Sequence, residues 1–210
     1  YMGPTPSFEQ LIATQAGSTS LSDDTFGAAL GVGDFDGNGR VDLAVAAPNK
    51  RDQESGAGMV FVFYSSDTAL QDFFCSAAGC QSERLTQARV LATPEAADHF
   101  GAALIAADFD GDHHTDLAVG VPGEDDQKTN EGMVIVFFSD PQSNQGLLCG
   151  ANACRYQRSG QRALGGLSED DDGFASVLAA GDVENDGYAD LLIGVPGEDL
   201  GNGTNAGTLY

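Results

Sequence analysis

Tryptophan is absent from this chain, histidine occurs three times, and lysine plus arginine nine times. Set against 32 acidic residues, those nine basic ones leave a formal charge of −23. A nucleic-acid binder needs a basic footprint, so that class is set aside, as is charge-driven docking on an anionic membrane. No apolar run nears the ~20 residues of a membrane-spanning helix, which argues against direct membrane insertion, and no signal-peptide pattern is visible. Catalytic signatures are missing too. There is no G-x-S-x-G, no Cys–His pair with a free thiol, no glycine loop to cradle phosphate, and the histidines do not pair as acid and base. The expectation is a protein that is not an enzyme. The chain starts at Tyr1 rather than Met and reads as a processed or excised segment.

What the chain has in abundance is acid at regular intervals. Asp34-Phe35-Asp36-Gly37-Asn38-Gly39-Arg40-Val41-Asp42 recurs at Asp108–Asp116 and again at Asp182–Asp190, with starts 74 residues apart both times. Each copy places oxygen-bearing side chains at loop positions 1, 3, 5 and 9. A loop whose alternate side chains converge is how a chain surrounds a hard cation with oxygen, and calcium, with many oxygen ligands and flexible geometry, is the natural candidate. An EF-hand would need Glu at position 12 and flanking helices; that position holds Val45, Val119 or Ile193, each inside a strand candidate. His113 and His114 could in principle form a transition-metal pair, but adjacent loop side chains diverge, and solvated turn residues are the better reading. His99 has no assigned role. Glu169–Asp172 reads as a solvated charge run, and Gly123-Glu124-Asp125 and Gly197-Glu198-Asp199 as turns.

The acidic loops sit inside larger repeats. Aligned at Phe26, Phe100 and Phe174 without gaps, the first two units share 14 of 23 positions up to Pro48 and Pro122, and the second and third share 10 of 23. Tandem repetition decides the fold class before anything else. Each unit offers a segment of small and apolar residues (26–30, 100–104, 174–178), the acidic loop, an apolar run (43–46, 117–120, 191–194) ended by Pro48, Pro122 or Pro196, and a third run (59–64, 133–138, 208–210). A fourth candidate lies at 84–91, with a weaker counterpart near 161–164. Short runs rich in β-branched and aromatic residues, bounded by Gly and Pro, are strands. Four per unit is the blade of a β-propeller.

The expected fold is therefore all-β: a β-propeller of four-stranded antiparallel blades, with about three blades in residues 1–210. The units run at about 26–99, 100–173 and 174–210, and residues 1–25, through the strand candidate Phe8–Ala13, supply the outer strand of the last blade. Propellers close with four to eight blades, so three would close with a second copy, as a homodimeric six-bladed ring, or with further sequence.

Cysteine is scarce, with four in all, but its spacing repeats: Cys75-x4-Cys80 and Cys149-x4-Cys154, again offset by 74. Two local disulfides are the reading, which implies an oxidising compartment. A zinc site of four thiolates is the rival, although zinc pairs sit closer in sequence and no histidine lies nearby.

The segments Phe26-Gly27 … Ala46-Ala47-Pro48, Phe100-Gly101 … Gly120-Val121-Pro122 and Phe174-Ala175 … Gly194-Val195-Pro196, each enclosing an acidic loop, resemble FG-GAP repeats, the blades of the integrin alpha-subunit propeller. The resemblance implies three calcium ions, one per repeat. Its ligands would be Asp34, Asp36, Asn38, Asp42 and the carbonyl of Arg40; Asp108, Asp110, Asp112, Asp116 and the carbonyl of His114; and Asp182, Glu184, Asp186, Asp190 and the carbonyl of Tyr188. It departs from the family where His113 replaces Gly, Glu184 is longer than Asp, Asn38 is neutral, and Ala175 and Ala46 replace Gly. It further implies a secreted or cell-surface adhesion or protein-interaction module whose partner is an extracellular protein or glycan. A lectin-like module, or the non-catalytic accessory propeller of a larger secreted enzyme, is the alternative; the lack of tryptophan weighs against sugar stacking.

Overall fold

The structure, a computed structural model, describes residues 23–52, 54–65, 81–90, 92–139, 154–201 and 203–210. The first unit folds as β1 (Leu30–Gly33), β2 (Asp42–Ala47), β3 (Met59–Phe63) and β4 (Ser82–Leu85), paired in that order. The second repeats it with β5 (Ala103–Ala107), β6 (Asp116–Val121), β7 (Met133–Phe138) and β8 (Arg155–Ser159). The third comprises β9 (Val177–Gly181), β10 (Asp190–Val195) and β11 (Thr208–Leu209). All pairings are antiparallel meanders, and the sheets are propeller blades of an all-β protein. Two middle strands are buried on both faces, β3 at all five positions and β6 at all six. That is why they read as unbroken apolar runs rather than alternating ones. Proline at 48, 122 and 196 stops β2, β6 and β10 at the preceding residue.

Two expectations are corrected. The innermost strands begin three to four residues later than the Phe-containing segments suggested. Gly27 and Gly101 take left-handed backbone (φ 94° each), Ala175 does the same (φ 66°), and the Phe-Gly pair becomes a turn. The turn is needed because Phe100 and Phe174, both fully buried, bridge to Gly58 and Gly132 of the preceding unit. A Cβ on Gly58 would stand 2.3 Å from the carbonyl oxygen of Phe100, so only glycine lets two blades approach this closely. The outer strands are also misplaced by sequence. β4 ends at Leu85 and Gln87–Val90 is a 3-10 turn; Gln161–Leu164 is likewise a 3-10 turn, following β8.

Blades pack through their innermost strands, β1 beside β5 and β5 beside β9. Small residues there let them meet. Gly31 of β1 faces Leu104 and Leu117 of the next blade, and a Cβ at Gly120 would strike the Ala175 carbonyl oxygen at 2.2 Å. One core, containing Phe35, Val60, Val62 and Leu85 from the first unit and Phe100, Leu117, Ile135 and Phe137 from the second, runs continuously through the first junction. The strand candidate Phe8–Ala13 and cysteines 75, 80 and 149 lie outside the described residues; Cys154 is disulfide-bonded.

Candidate metal centre

Each acidic loop links the innermost strand of a blade to its second strand, and each is built by its own aspartates. The position-1 carboxylate caps backbone amides across the turn. Asp34 Oδ1 accepts from Asn38 N at 3.0 Å and Oδ2 from Gly39 N at 2.7 Å; Asp182 does the same for Asp186 and Gly187, at 2.9 and 3.0 Å. Asp108 accepts from Gly111 N and His113 N at 2.7 and 2.9 Å. Position 6 is left-handed in all three loops (Gly39 φ 83°, His113 φ 69°, Gly187 φ 94°), so His113 adopts the backbone that glycine holds elsewhere. Position 4 is left-handed as well, at Gly37, Gly111 and Asn185.

The last carboxylate does more than the sequence suggested. Asp42 Oδ2 accepts from Phe35 N at 2.8 Å while its Oδ1 accepts from Ser65 N at 2.8 Å, beyond the end of β3. Asp116 repeats this with Phe109 N at 2.9 Å and Ser139 N at 3.0 Å. One buried side chain thus ties the start of the loop to the third strand of the blade. The signal for it was the identical placement of these aspartates at the first residue of β2 and β6.

In two loops the carboxylates converge. Oxygens of Asp34, Asp36 and Asp42 lie within 4.8 Å of one another, and so do those of Asp108, Asp110 and Asp116. Burial, with help from neighbouring carboxylates Asp36 and Asp34, pushes Asp42 up to about 6 despite its two amide donors. Burial, with Asp110 and Asp112, does the same to Asp116. Asp36 is raised too, mainly by burial. All donors are hard oxygens carrying negative charge at close quarters, an arrangement that fits a hard divalent cation and penalises its absence. Among the described residues no such cluster of three or more groups includes a histidine.

The loops differ in detail. Asn38 Nδ2 donates to Asp36 and to the Ser65 carbonyl, at 2.9 and 3.0 Å. In the second loop Arg155 of β8, stacked 5.1 Å over the Phe138 ring, pairs with Asp110. The third loop keeps the backbone pattern, with Val183 N on Asp190 and Tyr188 N on Asp186. Its carboxylates Asp182, Glu184 and Asp190 are not among the convergent sets, however. Neighbouring loops also touch: Ala189 N donates to the Asp108 carbonyl at 3.1 Å, and the Tyr188 ring lies over Gly111.

Repeating antiparallel blades with an acidic loop after each innermost strand define a propeller repeat protein. The profile of the FG-GAP repeat matches residues 26–63, 100–137 and 174–210, more than half of the chain, which belongs to that family. Phosphatidylinositol-glycan-specific phospholipase D of Rattus norvegicus is 34% identical over 122 residues, covering 57% of this chain and 13% of that protein. Integrin alpha-PS5 of Drosophila melanogaster is 38% identical over 100 residues, 47% of this chain and 9% of the relative. Integrin alpha-V of Gallus gallus is 24% identical over 202 residues, 91% of this chain and 16% of the relative. The chain thus spans under a fifth of the length of these relatives.

Proposed function

We propose that this chain is a calcium-binding, non-catalytic propeller module that serves extracellular adhesion or protein recognition. The observation that carries the reading is the pair of loops that each gather three carboxylates within 4.8 Å on a blade scaffold. Asp34, Asp36, Asn38 and Asp42, with the Arg40 carbonyl, would hold one ion. Asp108, Asp110, Asp112 and Asp116, with the His114 carbonyl, would hold a second. Asp182, Glu184, Asp186 and Asp190, with the Tyr188 carbonyl, would hold a third and weaker one, since its carboxylates must first be drawn in. The ion supplies charge neutralisation and a cross-link between loop and blade, so its role is structural. Cys154 pairing with Cys149, and Cys75 with Cys80, would suit the secreted or cell-surface location that millimolar calcium implies. Among the described residues no helix is long and apolar enough to cross a membrane.

Titration calorimetry with calcium on chelator-treated protein tests the reading. Two tight sites and one weaker site are expected, and Asp34→Asn with Asp108→Asn should remove the tight pair. Heat no greater than dilution would refute it. The similarity to a phospholipase favours a second reading, in which the module is the accessory propeller of a larger secreted enzyme. The open faces of the three-blade arc would then meet further blades of the same polypeptide rather than a second copy, and the solution mass separates the two.

A further inference from the structure

The repeat carries a second set of corresponding acids, away from the metal loops. Asp24, Asp98 and Asp172 recur every 74 residues just ahead of the Phe-Gly turn, and all are buried. Facing them after the second strand are Lys50, Glu124 and Glu198, at the same spacing and also buried. In the first unit this is an ion pair, with Lys50 Nζ 2.7 Å from Asp24 Oδ2. In the second unit a carboxyl takes the ammonium's place, so two buried, electrostatically coupled acids hold the positions where the first unit sets acid against base.

The surroundings offer Glu124 little compensation. Gln87, 1% exposed and projecting from the preceding blade, donates its amide Nε2 to Glu124 Oε2. Asp98 Oδ2 accepts from Glu95 N at 2.5 Å, and Gly123 N donates to the Asp98 carbonyl at 3.0 Å. Among the described residues nothing donates to Asp98 Oδ1 or Gln87 Oε1, both buried acceptors. The third unit repeats the arrangement: Gln161 Nε2 on Glu198, Glu169 N on Asp172 at 2.6 Å, and orphaned Asp172 Oδ1 and Gln161 Oε1. Charged groups acting on Glu124 are Asp98, Glu95 and Asp125, which oppose its ionisation, and Arg158 of β8, which favours it. Asp98 feels Asp125 and, in the opposite sense, His99.

We propose that Asp98 and Glu124 hold one proton between them in the folded protein, a proton standing where the first unit places the lysine ammonium, so that the junction between the first two blades tightens on acidification and loosens as the solution turns alkaline. Two buried carboxyls whose acidic neighbours Glu95 and Asp125 oppose ionisation favour the state in which one is protonated, and the added O–H supplies the donor that the orphaned acceptors lack. Burial, reinforced by Asp98 and Glu95, pushes Glu124 up to about 7; burial raises Asp98 too, opposed by the amide of Glu95 that it accepts from. The proton is taken from solvent on folding. Because the folded form binds it more tightly, stability from this pair is complete at pH below the ordinary glutamate range and is lost as pH rises through about 7.

The test compares the full chain with Glu124→Gln in saturating calcium from pH 6 to 8.5. The melting-temperature advantage of the variant, neutral throughout, is expected to grow by about 4 °C between pH 6 and pH 8.5, the shift that a tenfold change in the folding constant gives a domain of this size. Glu124→Lys should rebuild the Asp24–Lys50 arrangement and show the same rise. A variant difference that is flat with pH, or negative at pH 8.5, overturns the proposal. So does a parent melting temperature at pH 8.5 that depends on which cation is present at fixed ionic strength and loses that dependence in Glu124→Gln, since a metal would then fill the place. Should the variants fail to fold, the carboxyl carbon resonance of Glu124 in the parent protein decides: a midpoint between pH 6 and 8 supports the shared proton, and one below 5.5 overturns it.

Discussion

Asp116→Asn separates the two roles of the loop carboxylate, because its consequences differ in size with and without metal. Asp116 is fully buried and ties Phe109 N to Ser139 N. In metal-free protein its charge is held against an adverse environment that raises the carboxyl to about 6, and each unit of such a shift corresponds to about 1.4 kcal/mol. Neutralising it at pH 7 therefore relieves about 3 kcal/mol. The substitution also sacrifices one of two amide contacts to a charged acceptor, about 1.5–3 kcal/mol. The terms nearly cancel, so the metal-free variant should unfold within about 1 kcal/mol of the parent. With calcium at a hundred times its dissociation constant, binding stabilises the parent by about 2.7 kcal/mol, and the variant forgoes the second loop's share. At about 2–4 °C per kcal/mol for this size, the variant should melt roughly 5–10 °C below the parent in calcium. Thermal unfolding followed by circular dichroism in chelator and in millimolar calcium reads both numbers. An equal loss in the two media would show Asp116 to be only a backbone tie, and no loss in either would remove it from the site.

Three further outcomes are expected. Chelator-treated protein should melt higher at pH 5 than at pH 7, because raised Asp42 and Asp116 bind protons more tightly folded than unfolded over that window; in calcium the order should reverse as protons compete with metal. Arg155→Gln should raise calcium affinity at the second loop by about threefold, the scale of a partly exposed ion pair, by freeing Asp110 from its guanidinium; calorimetry showing weaker binding would mean that Arg155 orients the ligand instead. Gly58→Ala should cost at least 1–3 kcal/mol of strain at its left-handed backbone and more from contact with Phe100, measurable as a lowered urea midpoint, whereas Gly39→Ala, with open space around its Cβ, should pay only the strain.

Much of this molecule was legible as a linear pattern. The 74-residue period named the repeat, proline marked where the second strands stop, and unbroken apolar runs such as Met59–Phe63 marked strands buried on both faces. Local chemistry also fixed the left-handed backbone at His113, since loop position 6 requires it whatever residue stands there. What the pattern misjudged involves partners from another blade. Phe100 looked like the start of a strand but turns to fill the junction beside Gly58, and Gln87–Val90 looked extended but curls so that Gln87 reaches Glu124. Glu124 and Glu198 read as turn residues because a charged side chain beside glycine resembles a solvent loop; only packing of blade on blade buries them. Convergence of carboxylates was likewise decided in three dimensions: each of the three loops was expected to hold an ion, yet among the described residues two draw three acids together and the third does not. Sequence set which groups each loop and strand would carry, because spacing and propensity act over a few residues. Tertiary structure set which of them lose water and meet, because burial and pairing depend on neighbours far along the chain.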